Sequence, residues 1–194
     1  MSDQLTLLQR GIPTEVVVLL IVITVATLAA VFAALRGSGG EKVLRIAAGV
    51  LSGLGLLVSG YVVYKTQVLN EVPQCISGGG GCSLVEKSDY SHLGGVHVSI
   101  FGFIGYALLL GASIWNGDRA RVAGFVLALF GFGFSLYLTY LELWEILAIC
   151  QWCVTSAVVM TMLFVVNTTR MFSYFGLDEY EDDVAEPVDE APET

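Results

Sequence analysis

Charge is scarce in this sequence. Only 14% of the residues are Asp, Glu, Lys or Arg, while 55% are hydrophobic. A soluble core of this length has no use for so much apolar surface, so the composition points to a bilayer. Basic residues are scarcer still, at nine Lys and Arg. They form no cluster or stripe, which excludes a nucleic-acid surface. The net charge of −9 is a local matter, because nine of the eighteen acidic residues fall between Asp178 and Glu193. The body up to Leu177 is neutral, with nine basic and nine acidic residues. No internal repeat has a clear period.

Five apolar runs are present. They extend over Val16–Leu35, Val43–Tyr64, Val96–Trp115, Val122–Leu141 and Ile146–Val166. Each approaches the ~20 residues that a helix needs to cross a bilayer core. The expected fold is therefore an all-α integral membrane protein with five transmembrane helices. The first run is too long for a signal-peptide core and its basic flank follows it, so it reads as a retained anchor. Gly49 and Gly53 form a small-xxx-small pair that favours close helix approach in lipid.

Arg36, Lys42, Arg45, Arg119, Arg121 and Arg170 all fall on one side of the expected topology. The positive-inside rule makes that side cytoplasmic. The N-terminus, the loop 65–95 and the link Glu142–Ile149 are then external. Asp178–Thr194, acidic and bearing Pro187 and Pro192, reads as a disordered cytoplasmic tail. Glu142 and Glu145 flank Trp144 and read as interface anchors in preference to a proton relay.

Four cysteines carry the chemistry, and this topology sets all of them at the external face. Cys75 and Cys82 are separated by six residues, four of which are the glycines 78–81. Glycine leaves such a loop free to open and close a disulfide. Cys150 and Cys153 form a C-x-x-C at the outer end of the last run. A helix N-terminus favours a thiolate, the attacking species in disulfide exchange. Three readings fit the spacing: two exchanging pairs, two structural disulfides, or a four-cysteine zinc site. The zinc reading fits less well, because such sites usually pair two short knuckles. A mobile glycine loop also suits a labile disulfide better than a structural one. No metal is expected. His92 and His97 are candidate proton carriers near the outer interface. Phe130, Phe132, Phe134, Tyr137 and Tyr140 add aromatic surface for an apolar ligand.

Cys75, Cys82, Ser88, the stretch Gly95-Val96-His97-Val98-Ser99-Ile100-Phe101-Gly102, and Cys150-Gln151-Trp152-Cys153 occur in an order that resembles the vitamin K epoxide reductase family. The resemblance covers about Val43 to Arg170. It implies a four-helix catalytic bundle over 43–170 around a quinone, menaquinone or ubiquinone. Residues 1–42 would add an external segment and an extra helix, and 171–194 the tail. Cys75 and Cys82 would exchange with an external thiol protein. Cys82 would pass electrons to Cys150, and Cys153 would face the quinone. Ser88 would support the site by hydrogen bonding, although Ser88-Asp89 also suits a plain turn. Phe101, Trp152, Tyr90 and Val98 occupy positions that would line the quinone. Epoxide-reducing members carry Asn where this chain has Val98 and Tyr where it has Ala157. The resemblance thus favours the bacterial-type branch, which oxidises thiols. Its partner would be a soluble extracytoplasmic thioredoxin-fold oxidase acting in trans, with the enzyme multi-pass in the inner or plasma membrane, among lipid. An unrelated quinone-linked disulfide generator also uses four cysteines, but its pairs sit in two separate loops. A non-catalytic membrane scaffold is the alternative of a different class.

Overall fold

A computed structural model describes residues 14–36, 40–75, 81–115 and 117–185. Five long helices carry the fold: α1 (Thr14–Arg36), α2 (Gly40–Val63), α4 (Val98–Ile114), α5 (Asp118–Tyr140) and α6 (Gln151–Ala185). A sixth, α3 (Gly81–Glu86), is short and lies in the loop between α2 and α4. Four helices are long and apolar enough to cross a membrane. The exception, α4, has 17 residues. At 1.5 Å per residue it extends about 26 Å, close to the thickness of a hydrocarbon core.

The bundle is built on α2, which packs on α4 and α6, while α5 packs on α6 and α4. Leu44, Ala48 and Leu51 of α2 meet Tyr106 and Leu109 of α4, Ala128 of α5, and Val159, Leu163 and Val166 of α6. Ile46, Leu57, Leu108, Val126 and Phe130 point outward, as the lipid-facing side of such helices requires. The extra helix α1 lies against α2 and α6.

Of the Gly49/Gly53 pair, Gly49 is the one set against a neighbouring helix, where a Cβ would lie 3.4 Å from the Ser113 hydroxyl of α4. A methyl group at Gly53 would meet nothing within 4 Å. Gly55 lies directly under the ring of Tyr106, and a Cβ there would collide with it. The Tyr106 hydroxyl donates to the Ser156 carbonyl at 2.9 Å. One tyrosine thus ties α4 to α6 across a notch in α2.

Two helices end in a π turn at the same end of the bundle: Tyr64–Val68 after α2 and Leu141–Glu145 after α5. Between α3 and α4 a two-residue hairpin pairs β1 (His92–Leu93) with β2 (Val96–His97). Its loop glycines, Gly94 and Gly95, have φ of 59° and 84°. Both values are positive, which a tight turn of this hand demands and glycine supplies. The first residues of the third apolar run are therefore strand, and the helix starts at Val98.

Glu41 at the start of α2 pairs with Arg121 of α5 (3.3 Å) and Arg170 of α6 (3.4 Å). This cluster closes the bundle at the end away from the cysteines. Beyond it α6 continues to Ala185, so residues 178–185 are helical where composition suggests a disordered tail. A helix already under way needs no new nucleus, and Glu is a good helix former. Residues 186–194, and with them Pro187 and Pro192, lie outside the described residues.

Candidate active site

Cys75 follows the π turn of α2, and Cys82 is the second residue of α3. They are joined as a disulfide with Cα atoms 5.7 Å apart. The Cys82 N–H donates to Cys75 Sγ at 3.2 Å. Gly78, Gly79 and Gly80 lie outside the described residues. Gly81 opens α3 against the backbone just before the C-x-x-C, where a Cβ would run into the Ile149 carbonyl. Glycine is required here because backbone meets backbone.

Cys150 and Cys153 are free thiols. The Val154 N–H donates to the Cys150 carbonyl at 3.0 Å, which makes Cys150 the N-cap of α6. Cys150 thus precedes the membrane-spanning part of that helix (Gln151–Ser173). Its thiol is held below the usual thiol range, first by a hydrogen bond with the Cys153 thiol. The N–H groups of Cys153 and Trp152 add to this, while burial opposes it. The electrostatics of a helix start, expected from the C-x-x-C spacing, act on this sulfur.

The two pairs form one cluster. Cys75, Cys82 and Cys150 are buried together, with Cys153, Val85 and Trp152 packed against them.

The other candidate residues divide. Trp152 belongs to the site: its Nε1 donates to the Gln74 carbonyl at 3.3 Å, and its ring lies 4.8 Å from that of Tyr61. Val98 is half-buried at the start of α4. Phe101 and Tyr90 are exposed, at 42% and 45%. None of these three is among the buried or half-buried residues of the cysteine cluster. The Ser88 hydroxyl donates to the Val85 carbonyl at 2.7 Å, within its own turn. His97 is buried and lies 2.7 Å from Glu86 and 2.6 Å from the Ser99 hydroxyl. His92 pairs with Ser91 at 2.8 Å.

Two residues at the site carry more weight than the sequence reading gives them. Glu142 is no interface anchor, being only 5% exposed. Its Oε2 accepts the Cys150 N–H at 3.3 Å, and its carboxyl interacts with the Cys153 thiol. Gln151, inside the C-x-x-C, is 1% exposed, and neither atom of its amide has a partner among the described residues. An acid placed directly after an apolar run and eight residues before the C-x-x-C, and an amide between two cysteines, are the signals that could have found them.

Residues 46–168 match the model of the vitamin K epoxide reductase family. The match takes in both cysteine pairs and the four helices that form the bundle core. With more than half of the chain covered, the protein belongs to the vitamin K epoxide reductase family.

Proposed function

We propose that this membrane oxidoreductase carries electrons from the thiols of a soluble extracytoplasmic thioredoxin-fold partner to a membrane quinone, menaquinone or ubiquinone. The observation that carries the reading is the single buried cluster of one disulfide and one dithiol. Partner thiols open Cys75–Cys82. The Cys82 thiolate then exchanges with the Cys150–Cys153 disulfide at Cys150, the sulfur nearer the loop. Each exchange forms one S–S bond and breaks one. Cys153, one helical turn further into the membrane, hands the electron pair on.

A quinone fits the residues present. It needs an apolar pocket with a few polar groups. Trp152 supplies a ring beside the cysteines, and the orphaned Gln151 amide is a donor that a quinone carbonyl would satisfy. When bound, the quinone supplies a two-electron, two-proton acceptor. Val98 and Ala157 stand where epoxide-reducing members carry polar groups, which supports quinone over epoxide as the acceptor. The Cys75–Cys82 disulfide supports an oxidising compartment.

The test is gel-shift alkylation of the purified, pre-reduced protein under anaerobic conditions, with and without a soluble quinone. Thiols are expected to disappear in pairs when quinone is added. Cys153→Ala should abolish that loss and leave Cys75 and Cys82 able to exchange with a thioredoxin-fold protein. Four thiols that ignore quinone would replace the enzyme with the scaffold.

A further inference from the structure

Glu142 is an acid shielded from bulk water. It lies in the π turn that closes α5, and the chain then doubles back over it. Leu147 takes a left-handed φ of 52°, and the Ala148 N–H donates to the Glu142 carbonyl at 3.2 Å. The return brings Cys150 and Cys153 onto the same carboxyl. Oε2 accepts the backbone N–H of the first cysteine at 3.3 Å. The carboxyl also interacts with the sulfur of the second. Among the described residues no Lys, Arg or His pairs with it. The titratable groups that face it are these two thiols.

An unpaired buried charge is costly, and two like charges in contact are costlier. The site therefore holds one negative charge at a time, on the carboxyl or on a sulfur. Charge moves between them when a proton moves the other way.

We propose that Glu142 is the proton carrier for the Cys153 thiol. The proposal rests on the reading of Cys150 and Cys153 as an exchanging pair. After Cys75–Cys82 has been reduced, the Cys82 thiolate attacks Cys150 Sγ. The Cys150–Cys153 bond breaks, and its electron pair stays on Cys153 Sγ. The Glu142 carboxyl gives that sulfur a proton and becomes a carboxylate. One S–S bond has formed between Cys82 and Cys150, one has broken, and one proton has passed from oxygen to sulfur. When Cys153 reacts onward, the carboxylate takes the proton back and restores the thiolate. The same carboxyl thus serves as acid in one half of the cycle and as base in the other.

Glu142→Gln separates this role from a structural one, because Gln still accepts the Cys150 N–H but carries no proton. Glu142→Asp keeps the acid and is the second variant. In the full-length protein with Cys75–Cys82 oxidised, N-ethylmaleimide labelling of Cys153 is followed against pH by peptide mass spectrometry. Reduction of the Cys150–Cys153 disulfide by dithiothreitol is timed alongside. The wild type should show two linked proton steps at Cys153, and E142Q a single one. Reduction should slow about tenfold or more in E142Q, with E142D recovering part of the loss. A Cys153 profile and a reduction rate both unchanged in E142Q would overturn the proposal and leave Glu142 as a backbone clamp. Neither measurement uses quinone or partner. A protein that shows the linked protons yet ignores quinone would therefore support this inference while defeating the function proposed above.

Discussion

Gly81 is where the two cysteine pairs come closest through their backbones. A methyl group there would meet the Ile149 carbonyl, so either α3 tilts away or the segment leading to Cys150 shifts. Both responses separate Cys82 from Cys150, and misplacement of reacting atoms by about 1 Å can cost ~100-fold in rate. Gly81→Ala should therefore slow the exchange between the pairs by about tenfold or more. Cys75 and Cys82 should still form their own disulfide. Trapping the Cys82–Cys150 mixed disulfide in a Cys75→Ala, Cys153→Ala background measures the first effect, and alkylation of the otherwise wild-type chain the second. Cys150 makes a separate prediction. Its thiol is held below the usual range, chiefly by the Cys153 thiol. A lowered pKa means that the thiolate is already present at a pH where a free cysteine is still protonated. Alkylation of Cys150 should level off at lower pH than that of a model thiol. It should decline only on acidification through the lowered pKa. Cys153→Ala removes the largest cause and should move the curve back to higher pH.

The elements differ in how far they follow from sequence. The five long helices were legible because a bilayer imposes both length and apolarity on every spanning segment, and the runs around Ile46, Leu109 and Phe130 carry both. The ends of those helices at the site were not legible. Whether Leu141–Glu145 closes as a π turn, and whether the chain then returns over Glu142, is decided by tertiary contacts and not by local propensity. For that reason an acid at a helix end read as an interfacial anchor. The cysteines could be named, since their spacing is local, but the company they keep could not. The loop element shows the same limit. The Glu86–His97 contact, at 2.7 Å, fastens α3 to the strand that leads into α4 across eleven residues of chain. Glu86→Ala would leave the buried Nε2 of His97 without that partner, at a typical cost of about 1–3 kcal/mol. The cost falls on α3, which contributes nothing to the main helical core. The expected result is faster reduction of Cys75–Cys82 by dithiothreitol, several-fold by that energy, with the thermal unfolding of the bundle little changed.

At the scale of the whole molecule, charge is divided between the two ends. Glu41, Asp118, Arg121 and Arg170 meet at one end. The disulfide, the C-x-x-C and Glu142 lie at the other. Lys42, Arg45 and Arg119 fall near the first end by position, so most of the basic residues are there. The positive-inside rule is the ground for the orientation we propose, with the charged end cytoplasmic and the cysteine end external. Chemistry supports the same orientation, because a disulfide exposed to the cytoplasm would be kept reduced. Two exposed acids mark the ends: Glu71, 60% exposed beyond α2, and Asp118, 65% exposed at the start of α5. In intact cells a membrane-impermeant maleimide should label Glu71→Cys above the background of the native cysteines. It should label Asp118→Cys only after permeabilisation. The reverse pattern would turn the molecule over and set its thiol partner in the cytosol.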